Sequence, residues 1–162
     1  MKIDAEKYLF NESIKYLGKY PSTKKGIENY LLKIVKRKKT YQKVIFPQNI
    51  DQKLLIKNVI LKLDKLKIIN ENNYLESLFN YYQQSLFSIR KIKNKLYQKG
   101  FDEKKIDEHI SNQFQENPEI EVDILKKYIQ KKKLENLDLN ELKKKLYLQS
   151  FSESSIYSII KE

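Results

Sequence analysis

The chain has 162 residues, 40% of them hydrophobic, and 33 Lys and Arg against 21 Asp and Glu give it a formal net charge of +12. That apolar share suffices for a buried core, and the absence of cysteine excludes disulfides and thiolate metal sites. No apolar run approaches a membrane span and Met1-Lys2-Ile3-Asp4 lacks the apolar stretch of a secretory signal, so a soluble, cytoplasmic protein with no membrane role is expected.

In chain order, Ala5, Tyr8, Leu9, Tyr16 and Leu17 form the apolar stripe of a first helix. Pro21 punctuates the chain, and Thr23 opens a second helix because its side-chain oxygen accepts an unpaired N–H of the first turn. Val44-Ile45-Phe46 is the one β-like fragment; it ends at Pro47 inside a longer connection and reads as loop. Leu55, Ile56, Val59, Ile60, Leu63 and Leu66 then predict a third helix. Residues 1–69 make one three-helix unit.

Residues 70–117 repeat the scheme. Tyr74, Leu75, Leu78, Phe79 and Tyr82 stripe a leading helix, Ser88 opens the next, and Gly100 after Lys99 is a left-handed helix stop. Residues 118–162 follow, with Ile124, Leu125, Tyr128 and Ile129 in the leading helix and Asp138 opening the second. Pro118 precedes this unit; Glu119, Glu121 and Asp123 at the start of its first helix and Lys131, Lys132 and Lys133 at its end match what a helix dipole favours.

The second and third units are related by an internal repeat. At an offset of 50, Leu96 matches Leu146, Tyr97 matches Tyr147, Phe101 matches Phe151, Glu103 matches Glu153, Ile106 matches Ile156 and Ile110 matches Ile160; Ile92 and Leu142 agree in kind. Ser150 takes the place of Gly100 without glycine's freedom. A fainter copy at an offset of 65 places Thr23, Ile27 and Leu31 against Ser88, Ile92 and Leu96. Two amphipathic helices joined by a tight turn cannot bury their stripes alone, so repetition implies stacking. The fold class expected is all-α, three tandem three-helix units.

Charge is unevenly spread. Residues 1–69 carry 17 basic and 6 acidic side chains, residues 70–117 carry 7 of each, and residues 118–162 carry 9 and 8. The excess concentrates in Lys33, Lys36, Arg37, Lys38, Lys39 and Lys43, a patch that attracts a polyanion or an acidic protein surface, although lysines at a helix end are also what the dipole favours. On the Ser88 helix, taking Ile92 and Leu96 as the buried stripe leaves Arg90, Lys91 and Asn94 facing outward, with Lys95 at the margin.

Catalytic constellations are missing. His109 is the only histidine, which rules out a two-histidine metal motif, and its place in a helix suits packing. Gly18, Gly26 and Gly100 are too scattered for a phosphate-binding loop, and no carboxylate falls beside a nucleophile. The 12 Tyr and 7 Phe lie mostly at the spacing of buried stripes, which favours core packing over base stacking. The chain reads as a non-enzyme that needs no cofactor or metal.

Laid out in this way, the chain resembles the RecX family, the bacterial regulators of the RecA recombinase. Tyr16-Leu17, Pro21, Thr23, Ile27 and Leu31 follow that family's opening in order and spacing, and Val59 to Ile110 carries its most recognisable stretch, Lys91-Ile92 through Lys95-Leu96 to Lys99-Gly100-Phe101. Leu142, Leu146, Phe151 and Ile156 echo it. The chain departs from the family at Asn70-Glu71, where an acidic pair is usual, at Ser88, near which a glycine is usual, at Leu75, where a small residue is usual, and in its basic connection from Lys36 to Gln48. The resemblance implies an extended, curved array that lies in the groove of the RecA nucleoprotein filament, contacts single-stranded DNA directly or through the filament, and lowers strand exchange and ATP hydrolysis. The partner-binding residues expected on this reading are Lys33, Lys36, Arg37, Lys38, Lys39, Arg90, Lys91 and Lys95. Two other classes stay open: a sequence-independent nucleic-acid binder acting through counterion release, and a helical adaptor binding through grooves between units.

Overall fold

A computed structural model describes the backbone of residues 3–38, 44–45 and 51–161. Its elements run β1 (Ile3–Asp4), α1 (Ala5–Leu17), α2 (Lys24–Lys38), β2 (Val44–Ile45), α3 (Gln52–Lys65), α4 (Glu71–Gln84), α5 (Ile89–Gln98), α6 (Glu103–Glu116), α7 (Ile120–Lys132), α8 (Leu139–Leu148) and α9 (Glu153–Ile160). The fold is all-α, and the described helices fall three to each of the repeating segments. One detail corrects the sequence reading: Val44–Ile45 is not loop but pairs in parallel with Ile3–Asp4. The partner strand lies some forty residues upstream, so no local pattern announces it; Phe46 and Pro47 lie outside the described residues.

Contacts divide the chain into two compact bodies, Met1–Tyr74 and Leu75–Glu162, the division falling inside α4. In the first, α3 packs on both α1 and α2. Their shared core is Ala5, Leu9, Ile27, Leu31, Val35, Leu55, Ile56, Val59, Leu63 and Ile69. Ser13 completes the inner stripe of α1, its hydroxyl donating to the Leu9 carbonyl one turn back at 2.8 Å and so entering the core satisfied. Leu66, expected in the α3 stripe, is instead 55% exposed, because the helix ends there and the chain turns away. In the second body α5 packs on α6, and α9 on both α7 and α8. The repeat is reproduced in burial: Ile92, Leu96, Phe101 and Ile106 are buried, and so are Leu142, Leu146, Phe151 and Ile156, while Tyr97 and Tyr147 are both exposed.

Helix starts follow the sequence signals. Thr23 Oγ1 accepts from the Gly26 N–H at 3.0 Å, Ser88 Oγ from Lys91 N–H at 3.3 Å, and Asp138 Oδ2 from Asn140 N–H at 3.1 Å. Asp102 and Ser152 cap α6 and α9 in the same manner.

Helix stops share one device that is only partly visible in the sequence. After α3, α4, α5, α7 and α8 the chain passes through a left-handed residue, respectively Lys67, Leu86, Gly100, Lys133 and Ser150, with φ of 55°, 61°, 91°, 53° and 64°. The next residue returns its N–H five positions back, Ile68 to Leu63, Phe87 to Tyr82, Phe101 to Leu96, Leu134 to Ile129 and Phe151 to Leu146. Each such bond joins two apolar residues, the hydrophobic contact that accompanies a Schellman stop. Only one of these stops uses glycine. Ser150 thus adopts the left-handed conformation despite its Cβ, which costs on the order of 1 kcal/mol. Gly100→Ala is accordingly expected to lower stability by about 1 kcal/mol, whereas Ser150→Gly, relieved of the Cβ but burdened with glycine's larger chain entropy, should be neutral or stabilising by up to about 1 kcal/mol in chemical denaturation.

His109 has the packing role its position suggested. Its ring stands edge-on to Phe79 of α4, with centroids 4.9 Å apart, and its Nε2 is buried without a hydrogen-bond partner. Burial holds its pKa below the ordinary histidine value, against the opposing pull of Glu76 and Glu116. With the folded pKa below the unfolded one of about 6.5, the unfolded chain binds more protons, so this group makes stability rise with pH through the window between the two and leaves its full penalty below it. His109→Phe should flatten the dependence of denaturation midpoint on pH in the window below the unfolded histidine value of about 6.5, relative to the parent.

Candidate partner-binding surface

One glutamate in the first turn of α7 and one in the first turn of α4 each hold a helix start within their own body. Glu121, in the first turn of α7, is 5% exposed. Its Oε1 accepts from Ile89 N–H at 3.1 Å, at the start of α5. Its Oε2 accepts from Ser152 N–H at 3.3 Å, from the Ser152 hydroxyl, and from the Ser155 hydroxyl at 2.8 Å, at the start of α9. One carboxylate therefore faces the positive ends of two helices, which is where the dipoles favour a negative charge. The sequence reading placed Glu121 with Glu119 and Asp123 as acids serving the dipole of α7 itself; the structure corrects this, turning Glu121 inward to α5 and α9.

The first body contains the related arrangement. Glu71, in the first turn of α4, accepts from Lys24 N–H at 2.7 Å at the start of α2. Glu71 and Glu121 stand 50 positions apart, and Lys24 and Ile89 stand 65 apart, the same offsets as the repeat. A leading helix thus caps the second helix of the triplet before it. These two acids were missed as functional supports, although the offsets alone would have paired them.

The α5 start so held carries Arg90 and Lys91 of the expected partner-binding residues, and Lys95 follows in the last turn of the helix. Arg90 is exposed and, with Lys93, lines a groove of ≈ 660 Å³ whose wall includes Glu121 and Ser155. Lys93 is engaged in the wall, bonded to Asp107 at 2.6 Å and Glu103 at 3.4 Å. Lys91 and Lys95, one turn apart, go to a different side. Both are half-buried, with Lys91 Nζ 4.7 Å and Lys95 Nζ 5.2 Å from the Phe87 ring centroid. Lys91 Nζ also donates to Gln149 Oε1 at 3.3 Å, and Ser88 Oγ donates to the Gln149 carbonyl at 2.8 Å. Lys91 was expected to face outward like Arg90 and Asn94; the aromatic face of Phe87 and the α8 end draw it in instead. The two ammonium groups are held beside one ring rather than waving freely, which reduces the entropy lost when they meet an anion.

On α2 the buried residues Ile27, Leu31 and Val35 recur every four positions, and this sets Lys33, Lys36 and Arg37 on the opposite, exposed side. Lys38 is the last residue of the helix, with its side chain outside the described part; Lys39 and Lys43 lie outside the described residues altogether. Lys131, Lys132 and Lys133 are exposed at the end of α7, where they complement its dipole. Among the described residues no group of His, Asp or Glu is arranged to hold a metal ion, and no helix is long and apolar enough to cross a membrane.

No family model matches the sequence. The chain is similar to a regulatory protein RecX of Caldanaerobacter subterraneus subsp. tengcongensis, 25% identical over 162 residues, which covers 95% of this chain and 78% of that protein. Its fold is similar to a crystal structure of RecX from Lactobacillus salivarius, with a TM-score of 0.71 at 23% identity over 96% of this chain and 94% of the other. A crystal structure of regulatory protein RecX gives a TM-score of 0.73 at 21% identity, over 97% of this chain and 72% of that one.

Proposed function

We propose that the chain is a RecX-family regulator rather than a catalyst, and that it binds the RecA filament on single-stranded DNA in the cytoplasm and lowers its strand-exchange and ATPase activity; its similarity to RecX proteins in sequence and fold supports this. The observation that carries this reading is the similarity along nearly the whole chain, 95% of it, in sequence to a regulatory protein RecX. The distribution of charge supplies the physical means. Lys33, Lys36 and Arg37 share the exposed side of α2, within the segment that holds most of the chain's net charge. Such a field steers the protein to a polyanionic filament and strengthens phosphate or carboxylate contacts once there. Exposed Arg90, with Lys91 and Lys95 beside the Phe87 ring, adds a second set of cations on α5.

Reversing Lys36, Arg37, Lys38 and Lys39 to Glu is expected to abolish inhibition of RecA ATPase on single-stranded DNA, with helical content and melting temperature nearly unchanged because the described members are exposed. The control variant, Lys131, Lys132 and Lys133 to Glu, should retain most of the inhibition. The assay belongs at near-physiological salt, because low salt exaggerates surface charge effects. Equal inhibition by the first variant and the parent would refute the role of the basic segment. A parent without any effect on RecA would favour the second reading, a sequence-independent nucleic-acid binder, for which the same charge excess speaks and which steep salt dependence on naked single strands would identify.

A further inference from the structure

The α3 helix carries more apolar surface than its core can use. Leu55, Ile56, Val59 and Leu63 fill the inner side, yet Leu54 is 52% and Leu61 55% exposed. Seven residues apart, these two leucines stand almost in line along the helix, with Lys57 between them. They line a groove of ≈ 660 Å³ shared with the first turns of α2, and half-buried Ile60 extends its apolar lining. Lys53 and Lys57 border it on α3 and Lys24 and Lys25 on α2, against Glu28 and Asp51. Lys24 is bonded to Asp64 at 2.8 Å, and Asp51 accepts from Lys53 N–H to cap α3. What remains toward solvent is an aliphatic strip edged by Lys25, Lys53 and Lys57, with Glu28 and Asp51 as the opposing acids.

We propose that this groove docks a helical segment of a protein partner that lays aliphatic side chains on Leu54 and Leu61 and sets carboxylates against the lysine edges. Two aliphatic anchors one heptad apart match the side-chain spacing of an amphipathic helix laid in a groove. The edges carry net positive charge, so complementarity selects acidic flanks. A nucleic-acid strand fits less well. Its bases would meet leucines rather than aromatic faces, and its phosphates would lie along an apolar strip. The inference stands apart from the filament reading, since it concerns none of the cations assigned there and requires no DNA.

The test uses the full chain and a labelled helical peptide of about 16 residues, with Leu at one heptad-spaced stripe and Glu on both flanks, beside a twin with Lys flanks. Saturable binding of the Glu peptide is expected, weaker by about tenfold or more for Leu54→Ser/Leu61→Ser and for Lys53→Glu/Lys57→Glu, and weaker by a similar factor for the Lys twin. Both leucines are exposed, so circular dichroism should show the double variant folded. Absence of saturable binding, equal binding of the twin, or indifference to the leucine pair would overturn the proposal. Displacement of the peptide by a single-stranded oligonucleotide whose own binding needs Leu54 and Leu61 would overturn it too, by making the groove a nucleic-acid site. Peptide binding without any effect of the chain on RecA would leave the proposal standing and the filament reading refuted.

Discussion

Glu121→Ala is expected to lower the stability of the body formed by residues 75–162 by about 3 kcal/mol or more. The carboxylate accepts from two backbone N–H groups and two serine hydroxyls in a site that is 5% exposed. Removing it leaves those donors at the starts of α5 and α9 without their shared acceptor, and an unsatisfied buried donor costs its full desolvation. Glu121→Gln keeps the shape and one acceptor oxygen but points an amide N–H2 toward groups that already donate, so it should cost about 1–2 kcal/mol. Glu71→Ala, which removes a less buried cap from α2, should cost about 1 kcal/mol. Chemical denaturation of the three variants checks the order. A loss for Glu121→Ala no greater than for Glu71→Ala would mean that the second helix start draws nothing from the carboxylate. Arg90 and Lys91 sit on the turn that Glu121 caps, so the Gln variant, if folded, should also weaken filament binding while leaving both cations in place.

Leu96→Ala is expected to cost about 2–5 kcal/mol. Leu96 has no exposed surface, and its carbonyl accepts the Phe101 N–H that closes the α5 stop at 3.4 Å. Truncation removes the buried methyl groups and also undercuts the contact that locks the turn, so the cavity cannot close by a local shift. Its repeat mate Leu146, equally buried and closing onto Phe151 at 3.3 Å, should give a loss of similar size. A loss below about half a kcal/mol for Leu96→Ala would remove it from the core.

Much of this architecture was legible because helices are local objects. The stripes Ile27-Leu31 and Ile92-Leu96, the openings at Thr23, Ser88 and Asp138, and the stop at Gly100 are all set by residues within a turn or two of one another, and each is where the sequence put it. The left-handed positions at Lys67, Leu86 and Lys133 were not legible. Nothing in those residue types asks for the conformation; the apolar pairs across each turn, such as Leu63 with Ile68, impose it.

Among the cations proposed to meet a partner, the sequence determined by itself that Lys33, Lys36 and Arg37 share the outer side of α2, since one inward stripe leaves only the opposite side for them. Tertiary structure alone decided that Lys91 and Lys95 lie on Phe87, that Leu54 and Leu61 stay outside while Leu55 and Val59 go in, and that Glu121 reaches Ile89 across 32 residues of chain. Periodicity states which residues share a face of a helix. It cannot choose among several apolar faces, as on α3, or bring a carboxylate to a helix start that only packing places beside it.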